Sequence, residues 1–157
     1  MATHDDVRAA VNTFLKERMD VHITEGEDAI FWIESAMTVV SVNEWLPDEG
    51  TTTIISIDTP FLWHVPQKPE IYKWIALHND DYVIGRFSVS EDEDNHDEVI
   101  IGYSHRLIGD SWTENELYQC VSAMTYTVNQ VCPELKHMFG GKDIEEVRAQ
   151  DNETSAE

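Results

Sequence analysis

Basic residues are scarce: 10 Lys and Arg stand against 31 Asp and Glu, a formal net charge of −21 at pH 7. Such a chain has few cations to offer phosphate and repels polyanions, so neither nucleic acid nor an anionic membrane face is an expected partner. The same field speeds encounter with a basic partner, above all at low salt. It serves solubility equally well, and charge alone does not choose between these uses.

Cysteine is almost as sparse. Cys120 and Cys132 fall on one helical run, about 18 Å apart at ~1.5 Å per residue. That is far beyond disulfide reach, and the spacing suits no metal pair. Two inert thiols are expected, in keeping with a cytoplasmic location. No stretch approaches the ~20 apolar residues of a membrane span. The opening Met1-Ala2-Thr3-His4-Asp5-Asp6 has neither the basic nor the apolar region of a signal peptide.

Catalytic signatures are missing too. There is no Gly-x-Ser-x-Gly, no phosphate-binding Gly-x-x-x-x-Gly-Lys and no dinucleotide fingerprint. No His-Glu-x-x-His or Cys-x-x-Cys occurs, and no two histidines lie within four residues of each other. Ser104 and His105 are neighbours on a strand and point to opposite faces, so they form no dyad. His64 and His105 both sit in strand-like runs and could approach each other, but a lone histidine in a sheet is expected to be a hydrogen-bonded structural residue. The acidic run Glu91–Glu98 fails as a calcium loop. Counting from Asp92, the sixth position is Asp97 where glycine is needed, and the twelfth is Tyr103 where glutamate is needed. A hydrated hairpin tip is expected there. No catalytic residue, metal ligand or cofactor is assigned, and the chain reads as non-enzymatic.

What is present is a substantial apolar content: 41% hydrophobic residues, with five Trp among 157 residues. A chain of this size can bury roughly 70% of its unfolded surface without a disulfide or metal staple. Residues 1–141 read as one domain, and 142–157 as an acidic polar tail, disordered in part. Thr3 with Asp6 opens a first helix in a carboxylate version of the capping box, followed by Val7, Val11, Phe14 and Leu15 at helical spacing. Strand character follows at 21–24, 29–34, 37–45 and 51–58, with turns at 25–28 and at Leu46-Pro47-Asp48-Glu49-Gly50. Pro60 marks a break or an edge. A second helix is expected over 67–78 with Pro69 in its first turn, then a hairpin of 82–90 with 98–107. Its core face should carry Val83, Phe87 and Val89 against Val99, Ile101, Tyr103 and Leu107. Thr113 and Glu116 start a third helix, in which Pro133 forces a kink or a restart. The order α-βββ-α-ββ-α argues an α+β fold, an antiparallel sheet of about five strands with three helices.

Several strands carry apolar residues on both parities. Ile30 and Trp32 lie opposite Phe31 and Ile33, Val40 and Val42 opposite Val39, and Ile54 and Leu62 opposite Ile55. Either helices cover both faces, or one face stays apolar for a partner. In the second case Trp32, Val40, Val42, Ile54 and Leu62 are the expected lining, and an exposed sheet edge could hold an extended peptide.

Five features in order give residues 51–141 a resemblance to a known family. They are Thr59-Pro60-Phe61 ending a strand, Ala76-Leu77-His78-Asn79 ending a helix, and Ile84-Gly85-Arg86-Phe87 opening a strand. The hairpin return Ser104-His105-Arg106-Leu107 follows, leading to Gly109-Asp110 and Glu116-Leu117, and Met138-Phe139-Gly140-Gly141 comes last. On these the chain resembles the YbjN-like, type III secretion chaperone-like family, with residues 3–50 fitting its leading helix and early strands. The resemblance implies a sheet-and-helix domain that binds another protein or peptide, often as a homodimer, without catalytic residues. The client of such a module would be an extended apolar or basic segment. No ligand residue of that family is matched here, and the acidic excess departs from its pattern. A small-ligand or cation-binding regulator, or an enzyme whose site is scattered along the chain, is the alternative.

Overall fold

The computed structural model describes residues 3–24, 26–45 and 51–154. The expected turn at 46–50 lies outside them, as does Glu25 of the turn at 25–28. Helix α1 (His4–Met19) begins as the sequence requires. Thr3 Oγ1 accepts from the Asp6 N–H, and Asp6 Oδ2 accepts from the Thr3 N–H. It buries Val7, Val11, Phe14 and Leu15. Residues 21–24 form no strand. They run as irregular chain whose Val21 and Ile23 are nonetheless buried, so their apolar alternation reports burial rather than pairing.

Strands β1 (Ala29–Ile33) and β2 (Ala36–Trp45) make a hairpin closed at Glu34-Ser35. Glu34 takes φ +55, and helix α3 (Glu114–Phe139) clamps the turn. Its Asn129 donates to Glu34 Oε2 at 3.1 Å and accepts from Ser35 Oγ at 3.0 Å. Strand β3 (Thr52–Pro66) does not stop at Pro60. It continues for 15 residues with register shifts on either side of Leu62. Pro60 is tolerated because the last pair with β2 is Val39↔Asp58, so β3 is bonded there to only one neighbouring strand.

Helix α2 (Pro69–His78) is followed by a 3-10 turn at Asn79–Asp81. Strand β4 (Arg86–Glu91) starts later than the expected residue 82, after the positive-φ turn at Gly85. The Asn79 side chain binds both the N–H and the C=O of Phe87, at 2.6 and 3.3 Å, in place of a neighbouring strand. Val83 is therefore not a core residue: it lies before the strand and is 95% exposed. Strand β5 (Glu98–Ile108) completes a five-stranded antiparallel sheet in the order β1-β2-β3-β5-β4. Phe87, Val99, Ile101, Tyr103 and Leu107 are buried as the hairpin pattern predicted.

Helix α3 starts at its Thr113 cap, which accepts from the Glu116 N–H at 3.1 Å, and runs unbroken through Pro133. Beyond it the described chain is not a loose tail. Gly140 and Gly141, at φ +82 and +90, turn it back so that Lys142 pairs with Trp63 through two backbone hydrogen bonds of 2.8 Å. A Cβ on Gly141 would meet Val65 Cγ2 at 2.6 Å, so this joint needs glycine. Helix α4 (Ile144–Thr154) follows, opened by a reciprocal pairing of Asp143 and Glu146. Lys136 bridges both carboxylates at 2.7 Å, and those hydrogen bonds raise the pKa of its ammonium well above the ordinary lysine value. The class is the α+β class expected, with four helices among the described residues where three were expected. Among those residues no helix is long and apolar enough to cross a membrane.

Candidate functional site

The registers divide the sheet into two faces. Through the pairs Phe31↔Thr38, Val40↔Ile57, Ile55↔Leu107, Thr59↔Tyr103 and Phe87↔Tyr103, one face carries the buried side chains. Helices α1 and α3 lie against it, touching β2, β3 and β5. The opposite parity shows the pairs Ile30↔Val39, Trp32↔Met37, Ile54↔Ile108 and Asp58↔Ser104. Neither α1 nor α3 contributes its buried stripe to this second face. Its side chains are half-buried or exposed, apart from Ser56.

This division corrects the expected groove. Val40, Val42 and Leu62 are 3%, 6% and 0% exposed on the helix-covered face and line no surface. The parity of Val40 and Val42 is that of Phe31, not of Trp32, because the hairpin pairs Ala29 with Val40. Leu62 changes sides through the irregularity that follows Pro60, ending opposite Ile101. Trp32 and Ile54 do lie on the open face, Trp32 at 45% exposure. Their companions there are Ile30, Met37, Val39 and Ile108, which the sequence reading left out. A correct hairpin register would have found the first three.

The open face is apolar at two places and polar between them. Ile30, Trp32, Met37 and Val39 form a patch along β1 and β2, and Ile54 with Ile108 a second on β3 and β5. Ser41, Ser56, Ser104 and an Asp58–Arg106 ion pair of 3.0 Å occupy the middle. Helix α4 reaches the first patch, bringing the Arg148 guanidinium 5.2 Å from the centre of the Trp32 ring.

Two other candidate groups, His105 and Cys132, are held in structural surroundings. His105 does not approach His64: the pairs Ile57↔His105 and Val65↔Val99 hold them towards opposite ends of the β3–β5 ladder. The His105 Nδ1 accepts from the Gly85 N–H at 3.2 Å, and burial pushes its pKa below the ordinary 6.5. The unfolded chain thus takes up this proton first on acidification. His105 contributes stability that is fully present above pH 6.5 and declines as the pH falls towards its folded-state value. His105→Asn is expected to flatten that slope in urea titrations run at a series of pH values. An unchanged slope would contradict the assignment. Cys132 lines a small cavity of about 150 Å³ with Phe61, Val128 and Asn129. Burial, and then the nearby Asp143 carboxylate, push its thiol up to about 11, so it is a weak thiolate source near neutral pH.

A five-stranded antiparallel sheet covered on one side by helices defines a class of small α+β domains. Compared with solved structures, the chain is similar to YbjN from E. coli, a proposed transcription regulator. The TM-score is 0.55 at 11% identity, over 84% of this chain and 93% of that one. The fold is YbjN-like, as the ordered motifs implied. No family model matches the sequence, and neither does any curated protein.

Proposed function

We propose that the chain is a non-enzymatic protein-binding module that docks an apolar segment with basic flanks on the open sheet face. The observation that carries this reading is the clustering of Ile30, Trp32, Met37 and Val39 on a sheet face that α1 and α3 leave alone. Such a patch, rimmed by polar side chains, is the usual mark of a contact surface. The net charge of −21 favours basic flanks on the occupant. The similar YbjN structure, described as that of a regulator, agrees with a binding rather than a catalytic role, and a second copy of the chain is a candidate occupant of the same face.

The test compares the wild-type chain with Ile30→Ser/Trp32→Ser, both verified as folded by circular dichroism. Each is used for affinity capture at low and high salt and for sedimentation velocity. A protein retained by the wild type and lost by the variant, or a dimer that the variant breaks, supports the reading. Monomers with no differential retention at either salt concentration overturn it.

A further inference from the structure

Away from the two apolar patches, at the far end of the same sheet face, three side chains distant in sequence converge where β3 meets the β4–β5 loop. His64 Nδ1 lies 3.0 Å from Glu98 Oε2 and 3.2 Å from Asp92 Oδ2, and all three ligand atoms fall within 4.8 Å of one another. We propose that His64, Asp92 and Glu98 form a binding site for a first-row divalent cation of the Zn²⁺ type.

The two His64–carboxylate distances suit the edges of a coordination polyhedron. Donors bound at about 2.0–2.2 Å around a tetrahedral ion stand roughly 3.4 Å apart, close to the two distances seen here. A proton serves the cluster poorly. Nδ1 carries at most one hydrogen, which two carboxylate oxygens can share only in a weaker three-centre bond. Asp92 meanwhile is well removed from water, its side chain 9% exposed. One divalent ion satisfies all three donors and offsets both carboxylate charges. The imidazole nitrogen is what separates this cluster from an ordinary patch of acids, and it favours Zn²⁺-like ions over the oxygen-seeking Ca²⁺ and Mg²⁺.

The donors are also held in place. Glu98 pairs with Pro66 in the β3–β5 ladder. The Asp92 N–H donates to the Glu98 carbonyl at 3.2 Å. The other carboxylate oxygen of Asp92, Oδ1, accepts from the Asp94 N–H at 3.0 Å, which leaves Oδ2 facing His64. The irregularity between Leu62 and Val65 aims His64, at φ +53, towards this corner. With three protein ligands, a further coordination position opens into a shallow depression of about 360 Å³ bordered by Lys142 and Gln150. Water would complete the shell there. Lys142 is the one other charged group in that lining, and its single positive charge cannot balance both carboxylates.

The experiment uses the full chain, stripped with EDTA and titrated calorimetrically with Zn²⁺ alone, then again in excess Mg²⁺ and Ca²⁺. Binding of one equivalent, insensitive to Mg²⁺ and Ca²⁺, is expected. His64→Gln and Glu98→Gln should each weaken it at least about tenfold, while Glu93→Gln, an exposed acid of the same loop, should leave it unchanged. Because a variant can lose its fold, the His64 imidazole ¹⁵N resonances of the wild-type protein are followed as well, and a Zn²⁺-dependent shift at Nδ1 is expected. Non-saturating binding abolished by Ca²⁺, equal affinity in folded His64→Gln, or an unmoved Nδ1 resonance would each overturn the site.

Discussion

Leu62→Ala is expected to lower the unfolding free energy by about 2–5 kcal/mol, whereas Trp32→Ala should change it by less than about 1 kcal/mol. Both are large apolar side chains on neighbouring parts of one sheet, so hydrophobicity does not separate them. Position does. Leu62 is fully buried opposite Ile101 beneath α3, and its truncation leaves a cavity that a packed core closes only in part. Trp32 already meets solvent over 45% of its surface. Urea denaturation followed by circular dichroism reads both values, and an unaltered m-value would show that the denatured state is not responsible. A Leu62→Ala protein as stable as wild type would return Leu62 to the surface and undo the assignment of the two faces.

Gly85→Ala is the second large effect, at about 2–5 kcal/mol. Gly85 has φ +84, where a side chain costs roughly 1–2 kcal/mol. Its new Cβ would lie 2.5 Å from Tyr103 Cε1 and 2.8 Å from Cζ, and overpacking of that kind adds about 1–3 kcal/mol. The Tyr103 ring cannot give way. It is fully buried, its hydroxyl donates to the Ile84 carbonyl at 2.6 Å, and Phe87 and Tyr82 pack at 4.8 and 5.9 Å between ring centres. Burial, with Tyr82 nearby, pushes the Tyr103 phenol up to about 12. Combining Gly85→Ala with Tyr103→Val tests the cause, since removing the obstructing ring should make the pair cost less than the sum of its members. Additive costs would assign the whole effect to backbone strain.

The same glycine shows what the sequence could and could not disclose. Ile84-Gly85-Arg86-Phe87 is legible as the opening of a strand, and the ordered motifs implied the fold correctly. The reason for the glycine is a tyrosine 18 positions later, and no local pattern carries that. Capping read well because its partners are three residues apart: Thr3 with Asp6, and Thr113 with Glu116. Strand parity read less well. Val40 and Trp32 each alternate correctly within their own strands, but which face each joins is fixed by Ala29↔Val40, a cross-strand pairing set by the turn at Glu34. Pro60 misled for a related reason, since its cost depends on whether a neighbouring strand needs its missing N–H. The helix at 144–154 was obscured by its composition. It depends on Lys136, one helix earlier, and on the bridge from Lys142 to Trp63. His64 meets Asp92 and Glu98 across 28 and 34 positions, so a search for ligands at short spacing passes over them.

The contact of Arg148 with Trp32 gives the open face a resident competitor. Helix α4 is joined to α3 through the short Gly140-Gly141 segment, so its guanidinium is presented to that indole at the millimolar effective concentrations typical of short tethers. An incoming segment that covers the ring has to displace it. On the proposed docking, segments with weak intrinsic affinity for that corner would be filtered out, and those able to bring a cation of their own to the ring would be favoured.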